Sequence, residues 1–85
     1  MESILIDLGF FKEDIANVMK LYTNEVKFIR VIAILKEYKC NIDFIKWIII
    51  NKKEIFEMDI DRLEYILDAI SSNNDIIEET LLDII

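Results

Sequence analysis

Cysteine and paired carboxylates are the side chains of this 85-residue chain that could take part in chemistry, because it has no histidine. Catalysis by Cys40 would need a base beside the thiol, and the usual base is missing. Carboxylate pairs such as Asp61 and Glu64 can transfer protons, but on an exposed helix face they are ordinary solvated charges. We therefore expect a protein that is not an enzyme, with no catalytic residue and with Cys40 as a small packing residue.

Metal and phosphate chemistry also lack their usual sequence patterns. A structural zinc site needs a cluster of cysteine and histidine, which one cysteine cannot supply. The aspartates between Asp59 and Asp75 lack the glycine and the ligand spacing of a calcium loop. No glycine-rich phosphate loop is present, since the chain has one glycine. The sequence therefore predicts no metal site and no cofactor.

Negative charge is concentrated near the C-terminus. Residues 57–85 hold nine acidic residues and one arginine, whereas residues 1–56 hold eight acidic and nine basic residues. Such asymmetry indicates a surface for a basic partner, or a solubilising face on an apolar domain. The only tryptophan lies in an apolar stretch that favours a core position, and it becomes an interface anchor if it is exposed. The candidate partner-binding residues are Asp61, Glu64, Asp68, Asp75, Glu78, Glu79 and Trp47.

Three functions are compatible with this charge pattern. The first is a protein-interaction module that presents its acidic C-terminal face to a basic partner. The second is a small acidic inhibitor that mimics nucleic acid, of the kind encoded by phages and mobile elements. The third is direct nucleic-acid binding through the more basic N-terminal two-thirds, which the net charge of −7 opposes. Candidate contacts for this third function are Lys20, Lys27, Arg30, Lys52 and Lys53.

The apolar periodicity predicts helices, with the stretch 28–35 in a buried central one. Besides its main stripe, this helix has a second apolar stripe of Val26, Ile29 and Ala33 that we also expect to be buried. A strand is the alternative for residues 47–50, since a short apolar run cannot be assigned by periodicity alone. The segment 71–74 is the most loop-like.

The predicted helices span 2–8, 12–22, 25–39, 42–51, 60–70 and 75–85, and we expect 42–51 to be a second buried helix. Gly9 should end the first helix and Asn41 should cap the fourth. Met19 and Ile84 continue apolar stripes, and a connector over 51–58 holds at most one helical turn, with Ile55 and Phe56 turned inward.

A pattern of helix, break and helix recurs about three times along the chain. A shift of 30 residues matches Leu5 with Leu35, and a further shift of 32 matches Cys40 with Ser72. Any amphipathic helix pairs match partly by chance, but the shared position of the break favours a repeat. Stacked pairs would bury a continuous core that one pair cannot form. We predict a single all-α domain, a compact bundle or short solenoid of about five to seven helices.

Two segments resemble the repeat of the mitochondrial transcription termination factor (mTERF) family. Leu8-Gly9-Phe10 with Glu13-Asp14-Ile15 resembles its opening, and Ile48-Ile49 with Asn51-Lys52 resembles its second half. The resemblance extends over residues 3–82. It implies a helical solenoid that binds nucleic acid on a basic concave face. The chain departs from the family by lacking its usual proline, where Lys52 stands, and by being acidic.

Location and assembly are predicted from what the chain lacks. A single cysteine permits no disulfide within the chain, which favours a reducing, cytoplasmic compartment. The acidic opening Met1-Glu2 does not fit a signal peptide, and no apolar run reaches the roughly 20 residues that span a bilayer. We expect a protein partner and no membrane, with Ile84-Ile85 as the candidate contact of a homodimer. Abundant isoleucine, lysine and asparagine fit an AT-rich genome.

Overall fold

A computed structural model describes residues 1–84 of the chain. These residues form seven α-helices joined by short loops and contain no strand. The domain measures 38 × 22 × 20 Å. The predicted all-α architecture is confirmed, and the strand alternative for residues 47–50 is wrong because these residues lie within α4. The helices are α1 (Glu2–Asp7), α2 (Lys12–Leu21), α3 (Glu25–Glu37), α4 (Ile42–Asn51), α5 (Lys53–Glu57), α6 (Ile60–Ser72) and α7 (Ile77–Ile84).

Three helices, α1, α3 and α6, end in the same backbone motif. Each is followed by a residue with positive φ: Gly9 at 93°, Lys39 at 61° and Asn74 at 59°. The amide of the next residue then donates to a carbonyl five positions earlier, as in a Schellman motif. These bonds join Phe10 to Leu5 (3.0 Å), Cys40 to Leu35 (3.1 Å) and Asp75 to Ile70 (3.2 Å).

The motif fixes the register of the repeat. Its left-handed residues are 30 positions apart from Gly9 to Lys39 and 35 apart from Lys39 to Asn74. The predicted shift of 32 is therefore wrong, since Ser72 lies inside α6 and the structural counterpart of Cys40 is Asp75. The predicted shift of 32 and the observed shift of 35 differ by three residues, which is close to one helical turn of 3.6 residues. The apolar stripes therefore align at either shift, and periodicity alone does not identify the right one. The short helix α5 accounts for the longer spacing of the third pair.

The central helix α3 is buried along one broad side, which confirms that the stretch 28–35 contributes to the core but not that the helix is buried on several sides. It contributes Phe28, Val31, Ile32, Ile34 and Leu35 to the core. Its expected second stripe is wrong, because Val26 is 78% exposed, Ala33 is exposed and Ile29 is only half-buried. Neighbouring helices cover α3 on one side only, so an apolar stripe on the other side stays in solvent.

Several other apolar residues that the sequence places in the core are exposed in the structure. We predicted α4 to be buried, and Ile45, Ile48 and Ile49 are, but Ile42 and Ile50 are 50% and 57% exposed. Met19 and Ile84, which continue predicted stripes, are 43% and 53% exposed. A helix in a small domain meets neighbours over part of its circumference, and successive residues turn through 100°. Apolar content alone therefore overstates burial.

Side-chain caps set several of the helix boundaries. The Asn24 side chain accepts a hydrogen bond from the amide of Lys27 (3.1 Å), and Asn41 accepts one from Asp43 (2.7 Å), which satisfies amides that a helix start leaves free. The connector contains α5, with Ile55 and Phe56 buried as predicted. The loop expected at 71–74 is shorter, because Ser71 and Ser72 continue α6.

Candidate functional site

The acidic stripe of α6 consists of Asp61, Glu64 and Asp68. Helical spacing of three and four residues places them on one side of α6; Asp61 and Asp68 are exposed and Glu64 is half-buried. None of them forms an ion pair within residues 1–84. The ion pairs in that range join the Met1 amino group to Glu25 and Lys53 to Glu57. The stripe therefore presents negative charge that the described residues do not neutralise by direct pairing.

Tyr38, at the end of α3, anchors one end of this stripe. Its hydroxyl donates a hydrogen bond to the Asp68 carboxylate. This bond, with desolvation and the negative charges of Asp68, Glu64 and Glu37, raises the pKa of Tyr38 to about 12. The phenol thus stays protonated at neutral pH and holds Asp68 beside α3. Asp61 and Glu64 are the stripe members that make no such contact within the described residues.

The acidic residues near α7 do not extend the stripe as one face. Glu78 turns toward the start of α4, where its carboxylate accepts a hydrogen bond from the amide of Asn41 (3.3 Å). Glu79 is exposed and points elsewhere, since neighbouring helical residues lie 100° apart. Asp75 is exposed in the turn before α7. The six candidate carboxylates therefore form the α6 stripe and a more scattered group around α7.

Cys40, in the connection between α3 and α4, is buried. Burial, and then the negative charge of Glu78, raise the pKa of its thiol to about 11. A thiol with a raised pKa is a poor nucleophile at neutral pH. Its position in the core agrees with the packing role predicted from the sequence.

Trp47 is 45% exposed, so the expectation of a core position is wrong. Ile50, one helical turn later on α4, is 57% exposed, and together they form a small apolar patch. The side-chain amide of Asn51 donates to the Trp47 carbonyl (3.0 Å) and closes the end of this helix. Because its side chain is 45% exposed, Trp47 is available as an anchor for a partner.

Of the two residues proposed for a homodimer contact, Ile84 is exposed, and Ile85 lies outside the described residues.

Two of the candidate basic residues, Lys27 and Lys53, lie on one cavity of about 270 Å³. The Lys27 ammonium donates to the backbone carbonyl of Glu57 (2.9 Å), and the Lys53 ammonium lies 3.5 Å from the Glu57 carboxylate. Lys20, Arg30 and Lys52 do not line this cavity. Sequence reasoning missed the site because its walls come from α2, α3 and α5, and hydrophobic periodicity does not predict which helices meet.

Buried aromatic rings form the inner wall of this cavity. The ring centroids of Tyr22, Phe28 and Phe56 lie 4.7 to 5.2 Å apart. The Tyr22 hydroxyl donates to the Ile49 carbonyl (2.6 Å). Burial, followed by the charges of Glu57 and Glu54, raises the pKa of Tyr22 to about 12. The hydroxyl is thus a structural donor, and the ring is the part of Tyr22 available to the cavity.

Within residues 1–84, no three His, Cys, Asp or Glu side chains are placed to hold a metal ion. No helix in this range has the length and apolar character to span a membrane. Comparisons with protein-family models, curated proteins and solved structures find no match for the chain. The resemblance to the mTERF repeat therefore stays a prediction.

Proposed function

We propose that the chain is a non-enzymatic protein-interaction module that binds a basic partner through its acidic C-terminal helices. The observation that carries this proposal is the α6 stripe. Asp61, Glu64 and Asp68 share one side of a helix and have no ion-pair partner among the described residues. Binding a cation to these carboxylates breaks no ion pair of the described residues, although Asp68 also accepts a hydrogen bond from Tyr38.

The surrounding charge supports the same partner chemistry. Residues 57–85 carry a net charge of −8, from nine acidic residues and Arg62. A field of one sign raises association rates with an oppositely charged protein and weakens as salt rises. The exposed Trp47 on α4 offers a separate apolar contact to a partner, since tryptophan is enriched among residues that dominate binding energy.

A differential capture experiment tests the proposal. The chain, a stripe variant (Asp61→Asn, Glu64→Gln, Asp68→Asn) and a control variant (Asp7→Asn, Glu13→Gln, Asp14→Asn) are immobilised and exposed to lysate. Both variants remove three exposed or half-buried carboxylates and change the net charge equally. Asparagine at position 68 keeps an oxygen that can accept the hydrogen bond from Tyr38, so the main difference between the variants is the location of the lost charge. We expect basic proteins that are captured by the chain and by the control and lost from the stripe variant. A captured set that is identical for both variants would refute the proposal.

The nucleic-acid mimic is a special case of this function in which the basic partner itself binds DNA or RNA. It predicts that added nucleic acid displaces the captured partner. Direct nucleic-acid binding by the chain predicts instead a gel shift with random DNA or RNA at low salt, which the net charge of −7 opposes. We expect no shift with the free chain.

A further inference from the structure

The cavity between α2, α3 and α5 combines an apolar wall with a charged rim. Leu21, which is 47% exposed, supplies most of the apolar surface, and the rings of Tyr22, Phe28 and Phe56, which are only 7%, 1% and 4% exposed, form the floor. At about 270 Å³ the cavity is just below the roughly 300–1,000 Å³ of pockets for drug-sized ligands. It therefore suits a molecule with a single ring.

The rim favours an anion. Among the lining side chains, Lys27 and Lys53 contribute two positive charges and Glu57 one negative charge, for a net of +1. Glu54 lies outside the lining, but its negative charge also acts on Tyr22 and reduces this positive charge. The Lys27 ammonium uses one donor on the Glu57 backbone carbonyl, and an ammonium has three donors. The first turn of α3, a helix of 13 residues, also borders the cavity, and its dipole places partial positive charge there.

We propose that this cavity binds a small aromatic carboxylate, with its ring against Leu21 and the exposed edge of Tyr22 and its carboxylate at the rim that carries Lys27 and Lys53. Aromatic rings favour tilted and edge-to-face contacts with one another, which the rings lining the cavity already make. Glu57 opposes the anion and so tunes the affinity downward. The cavity shares no residue with the α6 stripe, so this site and the proposed partner surface can fail independently.

A titration with phenylacetate, followed by two-dimensional ¹H–¹⁵N NMR, tests the site. A ligand of ten heavy atoms with ordinary contact efficiency should bind with a dissociation constant on the order of millimolar. We expect saturable shifts at residues 21–28 and 53–57, with α6 and α7 unaffected. Phenylacetamide and phenethylamine, which replace the carboxylate by a neutral amide and a cation, should bind more weakly. Equal shifts with all three probes, or none with phenylacetate, would overturn the proposal.

Charge variants give the sharper result because removing a positive or a negative charge at the rim should change the phenylacetate affinity in opposite directions. Lys27→Gln should weaken phenylacetate binding by roughly threefold, and Glu57→Gln should strengthen it by roughly threefold, the effect of one screened charge a few ångströms away. Lys36→Gln and Glu13→Gln make the same charge changes at exposed positions outside the cavity and should leave the affinity unchanged. Weaker binding by Glu57→Gln would show that the rim selects a cation, contrary to the proposal. Circular dichroism confirms that each variant is folded before its affinity is interpreted.

Discussion

Lys39 occupies the left-handed position that ends α3, with φ at 61°, where glycine is the usual residue. At such a position a residue with a Cβ lowers the free energy of unfolding by about 1–2 kcal/mol relative to glycine. Glycine has more conformational entropy in the unfolded chain, which reduces its advantage by about 0.5–1 kcal/mol. Lys39→Gly should therefore be more stable than Lys39→Ala by about 1 kcal/mol. Comparing the two variants isolates the backbone effect, since both remove the same charge.

Lys36, on the last turn of the same helix, supplies the matched control. Its backbone is helical, so here alanine should be more stable than glycine by about 0.5–1 kcal/mol. Urea unfolding followed by circular dichroism measures both pairs, and with a slope near 1 kcal/mol per molar for so small a domain, each difference moves the midpoint by roughly 0.5–1 M. The preference for glycine should reverse between positions 36 and 39. The same preference at both positions would refute the left-handed cap and, with it, the repeated helix ending.

Three further outcomes test the core and its titrating groups. Leu35→Ala should lower the free energy of unfolding by about 3–5 kcal/mol because Leu35 is fully buried, whereas Val26→Ala, at a position 78% exposed, should cost under about 0.5 kcal/mol; similar losses would contradict the assigned faces. Because folding raises the pKa of Tyr22 to about 12 from 10.0, the unfolded chain loses that proton first, and stability should fall between pH 10 and 12. In urea titrations at each pH, Tyr22→Phe should lose less free energy of unfolding between pH 10 and 12 than the unaltered chain. An equal loss in both would exclude Tyr22 as its cause. Buried Cys40 should react with Ellman's reagent only as fast as the domain opens, so immediate labelling of the native protein would contradict its burial.

The helix boundaries were largely predictable because they depend on local chemistry. Asn41 caps α4 and Gly9 ends α1 at the positions expected from residue type. Lys39 and Asn74 adopt the same left-handed conformation without glycine, so the sequence carries a weaker signal there. The third pair was consequently placed one helical turn out of register.

Burial was harder to predict than helix position. Trp47 and Ile50 lie on a helix that is mostly apolar, yet both are about half exposed. Periodicity shows that residues share a side of a helix, but the packing of other helices determines whether that side is covered. The cavity of Lys27 and Lys53 escaped prediction for the same reason, since it depends on the contact of α5 with α2 and α3. The α6 stripe was predictable because it needs only one helix.

Salt dependence of the complex with the captured partner tests the central claim most directly. Affinity of the purified partner is measured by titration calorimetry for the chain, the stripe variant and the control variant over a range of NaCl concentrations. At low salt the stripe variant should lose on the order of tenfold in affinity, since three charge contacts at the surface contribute about 0.5 kcal/mol each. The salt dependence of its affinity should also be shallower. The control variant should match the unaltered chain. Equal losses in both variants would show that net charge alone, and not the stripe on α6, governs binding.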